Sequence, residues 1–130
     1  MTLVHVYWKT GKVRPTAIPG IVKALPTIVS RALSVPAEAA FGPKEVTIMT
    51  FTLAQPTGDD QFDFTRQMGP HDVGIVIWAN HWPEREARKD ELADRMSNDL
   101  REHVPMGNTA FVWLVLSPAG YAGFTGRCPA

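Results

Sequence analysis

Apolar positions along the chain fall into four short strand-type runs and two stretches of helical period. "TLVHVYW" (Thr2–Trp8) is rich in β-branched and aromatic residues and stops at Lys9-Thr10-Gly11-Lys12, which reads as a strand entering a loop. From Thr16 to about Ser34, Ile18, Ile21, Val22, Leu25, Ile28, Val29, Ala32 and Leu33 recur at the spacing of one helix face. Pro19 suits a first turn, whereas Pro26 removes an interior hydrogen bond and predicts a kink. "VTIMTFTLA" (Val46–Ala54) is a second strand, and residues 55–71, with Pro, Gly and Asp and no period, form an excursion of loop and turn. "VGIVIWA" (Val73–Ala79) is a third strand. Pro83 to Val104 is a second helix, with Leu92, Ala93, Met96, Leu100 and Val104 on one face and Glu84/Arg88 and Glu91/Arg95 at the favourable i,i+4 spacing. "TAFVWLVL" (Thr109–Leu116) closes the pattern before a Gly-rich tail.

The order predicts an α/β fold of two βαβ units in one domain spanning residues 1–130, with pseudo-repeat halves at about 2–54 and 73–116. Strands three and four are apolar on both pleat faces: Ile75 and Ile77 oppose Val76 and Trp78, and Val112 and Leu114 oppose Phe111, Trp113 and Val115. Two helices cover one face of a four-stranded sheet. The other face then needs a second subunit, so the pattern predicts self-association.

Composition narrows the classes of partner. A chain of 130 residues, 45% hydrophobic, builds a core without disulfides or metal. Thirteen basic residues balance thirteen acidic ones, so no basic field gathers nucleic acid or an anionic membrane. The single cysteine, Cys128, has no partner thiol, no HxH, HExxH or cysteine cluster points to a metal, and no motif calls for a cofactor. With no leader pattern and no long apolar span, cytoplasmic residence is the default expectation.

The stretch "IVIWANHWPERE" (Ile75–Glu86) concentrates the candidate chemistry. Pro83 disfavours the α region at Trp82 and is itself a good first helical residue, so His81 and Trp82 are held extended at the carboxyl end of a strand. Ligands are commonly bound at such ends. A carboxylate there would meet His81 or Arg85, with Trp78, Trp82 and Trp113 as apolar walls. The competing reading makes the tryptophans interface packing, His81 a locally bonded histidine and Arg85 a solvated helix charge. Among the remaining candidates, His5 alternates with Leu3 and Tyr7 and reads as a core or interface histidine. Glu38 reads as a surface charge, and His71 and Asp72 point apart.

Taken together, "TLVHVYW" directly after Met1, "RPTAIPGIVKAL", "AQPTG" after the second strand, "DVGIVIWANHWPEREARKDELADRM" and "FVWLVL" before a Gly-containing tail resemble the tautomerase superfamily. The likeness is greatest to its cis-3-chloroacrylic acid dehalogenase and malonate semialdehyde decarboxylase branches. The resemblance implies a homotrimer and an active site built on an N-terminal proline amine exposed by removal of Met1. Thr2 stands at that position here. An α-amine titrates near about 8 and is lowered in an apolar pocket, so a processed Thr2 keeps the capacity to move a proton or form an imine. Where dehalogenase-like relatives carry a histidine, a tyrosine and a water-activating glutamate, this chain has Val29, a position near Val115, and no acid after Glu102. The resemblance therefore implies isomerase-type chemistry on a small carboxylate or enolisable carbonyl compound rather than water addition. The alternative is a non-catalytic homologue that keeps the assembly.

Overall fold

The computed structural model describes residues 2–53, 69–118 and 122–129. Most of the predicted 55–71 excursion lies outside them. The elements are β1 (Thr2–Lys9), α1 (Ile18–Leu33), β2 (Val46–Leu53), β3 (Val73–Asn80), α2 (Pro83–Ala87), α3 (Lys89–Leu100) and β4 (Ala110–Ser117), joined partly by 3₁₀ turns. One sheet runs in the order β2-β1-β3-β4. β1 pairs parallel with β2 and β3 parallel with β4, while β1 and β3 pair antiparallel at the centre. Two parallel βαβ halves are thus joined back to back, as the element order predicts.

The two long helices, α1 and α3, lie on one face. Val4 and Val6 of β1 and Val73, Ile75 and Ile77 of β3 are sealed beneath Ile21, Leu25 and Leu33 of α1 and Leu92, Met96 and Leu100 of α3. Full burial of each large apolar side chain contributes roughly 1.5–3 kcal/mol. That sum explains why α1 runs unbroken through Pro26. The lost hydrogen bond and ring clash cost about 3 kcal/mol, and buried neighbours on both sides (Ile21, Leu25, Ile28 and Val29) outweigh it.

The second helix departs from the expected continuous run over 83–104. It leaves helical geometry at Arg88 (φ −115°, ψ 16°), giving a five-residue α2 and a twelve-residue α3. From that position Arg88 reaches forward to Glu91 at 2.7 Å, and Lys89 reaches back to Glu86 at 2.9 Å. The expected Glu84/Arg88 pair is therefore replaced by i,i+3 pairs. Arg101–His103 closes α3 as a 3₁₀ turn.

The opposite sheet face carries Leu3, His5, Tyr7, Phe51, Val76 and Phe111 and is covered by no element among the described residues. Met49, Trp78 and Trp113 on it are 46%, 43% and 61% exposed. Among the described residues no helix is long and apolar enough to cross a membrane.

Leu25 is 1% exposed at the centre of the helix-covered core. Leu25→Ala lowers unfolding free energy by about 3 kcal/mol in a denaturant titration; a loss below about 1 kcal/mol would show that α1 does not seal the sheet as described.

Candidate functional site

The site is assembled where β1 begins and β3 ends. Thr2 opens β1, pairs with Val46 of β2 and is only 5% exposed. At the end of β3 the chain passes through His81 and Trp82, whose extended backbone (φ −134°, ψ 140°) hands over to Pro83 as the first residue of α2. That is the geometry the residue before a proline favours. The His81 N–H donates to the Ser117 carbonyl at 3.3 Å, fixing the junction to the end of β4.

Arg85 then turns inward. It is 3% exposed, and its Nε–H is shared by the carbonyls of Leu33 and Val35, each at 3.0 Å. Nη1 donates to the Asn80 carbonyl at 3.0 Å and Nη2 to the Ala39 carbonyl at 3.3 Å. The guanidinium carbon also lies 5.7 Å from the centre of the Phe41 ring, within cation–π range. Three N–H groups are used in this way, and the fork has five. Burial pushes the guanidinium pKa down from its ordinary value, but guanidinium stays protonated in proteins. A cation thus stands beside Thr2, with N–H groups to spare among the described residues.

Asn80, Trp82, Arg85 and Thr2 form one side of a cavity of about 210 Å³, closed on the other by Phe41, Glu45 and the 38–40 turn. Besides its bond from Arg85, that connection is held by its own flanking residues. The Ser34 hydroxyl donates to the Ser30 carbonyl at 2.6 Å and accepts from the Phe41 N–H at 3.3 Å, and the Gly42 N–H donates to Glu45 Oε2 at 2.8 Å. The site therefore combines the buried first residue of β1, a guanidinium, an amide and two acids with aromatic walls. It is large enough for a small organic acid.

Of the residues singled out in the sequence, the structure brings Thr2, Trp82 and Arg85 together. Arg85 is neither a solvated helix charge nor a freely presented anion ligand, because carbonyls of three separate segments occupy it. His81 lies outside the lining, its side chain 40% exposed and its Nε2 3.8 Å from Glu86. The Glu86 carboxyl is held below the usual carboxylate range chiefly by its hydrogen bond from Lys89. Trp78 and Trp113 stand on the uncovered sheet face. Glu38, read as a surface charge, is exposed yet borders the cavity; Asn80 and Phe41 join it without any signal in the apolar pattern. Among the described residues no group of His, Cys, Asp and Glu is arranged to hold a metal.

Solved structures with this fold match over almost the full chain. Native fused 4-OT is 14% identical, with 96% of this chain and 94% of that one covered and a TM-score of 0.58. Malonate semialdehyde decarboxylase is 16% identical, with 96% and 92% covered and a TM-score of 0.57. The fold is that of the tautomerase superfamily. A wild-type fused 4-OT solved as an asymmetric trimer matches at 18% identity, 96% and 94% coverage and a TM-score of 0.53. No family model and no curated protein matches the chain. At these identities the tautomerase fold is shared while side chains diverge, so the site's chemistry rests on its own residues.

Arg85→Met removes the cation but keeps much of the stem, leaving buried carbonyls of three segments without a donor. The expected loss is about 3 kcal/mol of unfolding free energy by denaturant titration; a loss below about 1 kcal/mol would mean that the guanidinium does not hold the segments together.

Proposed function

We propose that this chain is a tautomerase-superfamily homologue, assembled as a homotrimer, that isomerises a small carboxylate or an enolisable carbonyl compound. The α-amine of Thr2, exposed once Met1 is removed, moves the proton. The observation that carries the reading is the cavity in which a buried Thr2 stands beside a buried guanidinium with unused donors. Burial favours the uncharged amine. A neutral amine takes the proton from the carbon next to a carbonyl, charge develops on the carbonyl oxygen as the enol forms, and the ammonium returns a proton.

Arg85 and the Asn80 amide are the groups placed to hold the substrate's carboxylate, Trp82 and Phe41 form the dry wall, and Glu38 sits at the mouth. His81, one residue from Asn80 and Trp82, is close enough to tune entry of an anion. Trp78 and Trp113 belong to the assembly instead. Their face joins apolar side chains of all four strands, with Met49, Trp78 and Trp113 left open to water. A trimer that packs these faces together accounts for it.

A second reading, a non-catalytic homologue that keeps the trimer and a ligand pocket, is favoured by one observation. Arg85 spends three of its donors on the protein's own carbonyls.

Two measurements test these statements. Intact mass is expected to show a chain beginning at Thr2, and incubation with pyruvate and borohydride to leave a reduced adduct on the Thr2 peptide. A retained Met1, or a processed chain with no adduct, would leave the non-catalytic reading. Trp113→Glu places a carboxylate on the open face and is expected to convert the trimer to monomer by analytical ultracentrifugation, with the helical signal unchanged. An intact trimer in that variant would exclude this face as the interface.

A further inference from the structure

His5 stands at the middle of β1 on the uncovered face, with Met49 of β2 and Val76 of β3 as its register partners. Its Nδ1 lies 3.1 Å from the Tyr7 hydroxyl, while Nε2 is buried and has no hydrogen-bond partner. Aromatic rings wall the imidazole: the Phe51 centroid is 5.2 Å away, Tyr7 5.9 Å and Trp78 6.4 Å, all at steep angles.

A neutral imidazole fits this setting as the Nδ1–H tautomer, in which Nδ1–H donates to the Tyr7 hydroxyl and Nε2 carries no proton. An imidazolium carries two N–H donors, and its Nε2–H would point only at rings. No described carboxylate lies among the side chains that pack on it. β1 offers Tyr7, β2 offers Met49 and Phe51, and β3 offers Val76 and Trp78; Tyr7 alone among these titrates. The nearest charge on the same strand face is another cation, Lys9, whose Nζ donates to the Gly69 carbonyl at 2.7 Å. In a free protomer a protonated ring has a way out, by turning through the open face into water. Packing a second copy on that face closes it.

We infer that His5 makes association through this face sensitive to protons: copies assemble with the imidazole neutral and separate as it is protonated. The inference rests on the homotrimer reading above and adds to it a titrating group. The sign follows from which state holds the proton. The free protomer binds it more readily than the assembly, so association is fully developed above the imidazole range and weakens as pH falls through it.

The test is sedimentation equilibrium of the full chain from about pH 7.5 to about pH 5.5, the span over which imidazoles titrate. The wild type is expected to lose at least about tenfold in association constant, a difference of about one proton's linkage over one pH unit. His5→Phe, which keeps the apolar face, and His5→Gln, which keeps a neutral polar tip, are each expected to flatten that dependence. His71, whose Nδ1 is also buried without a partner, is the control: His71→Gln is expected to retain it. An assembly that keeps its association constant down to pH 5.5 overturns this inference and leaves the trimer standing. A dependence that survives both His5 variants, or disappears with His71→Gln, also overturns it. A protein that is monomeric at pH 7.5 overturns both.

Discussion

One guanidinium ties together the parts of the chain that make the cavity. Arg85 reaches from α2 to the last residue of α1, to Val35 and Ala39 in the following connection and to the end of β3. These segments come from both βαβ halves and are up to 52 positions apart in sequence. Each contributes carbonyls that neither helix nor sheet satisfies, and buried carbonyls without donors are costly. The cation answers several at once. Leu33 and its neighbours at the end of α1 also present the negative end of a helix dipole, which favours a cation there. The cavity beside Thr2 is a by-product of this arrangement: the turn that Arg85 holds becomes its rim, and Arg85 itself is part of the lining.

The same side chain creates a tension between architecture and chemistry. A guanidinium committed to carbonyls is rigid and correctly placed without ligand, which lowers the ordering cost of binding an anion. It also has fewer donors to offer, so a bidentate grip on a carboxylate requires its free N–H groups to point the same way. Around it the cavity is small and partly aromatic, a setting that raises the worth of each remaining polar contact.

The two faces of the sheet divide the labour. The helix-covered face supplies the core, and the apolar residues recurring at every second position of β1 and β3 made it readable: Val4, Val6, Ile75 and Ile77 are all at 0% exposure. The uncovered face was readable as well, since Val76, Trp78, Phe111 and Trp113 are too apolar for a solvent-facing strand. What the pattern did not reveal was the break at Arg88, because Leu92, Met96 and Leu100 keep one spacing whether or not the helix pauses before them. It also did not distinguish Arg85 from the other charges of "EREARKDE". Its partners are main-chain carbonyls far along the sequence, and main-chain groups leave no mark in side-chain periodicity. Glu38 and Asn80 escaped for a related reason: the connection after α1 and the end of β3 meet only through tertiary closure. Thr2 and Trp82, by contrast, followed from position, one at the head of the first strand and one before a helix-opening proline.

The proposed chemistry depends on the Thr2 amine working inside the cavity. The most direct measurement follows the loss of the enol absorbance of phenylenolpyruvate with the processed chain, before and after cyanate carbamylates its α-amine. The expected result is accelerated ketonisation that disappears in step with modification of Thr2, with folding intact. Ketonisation no faster than in buffer, or a rate untouched by full carbamylation of Thr2, would contradict it.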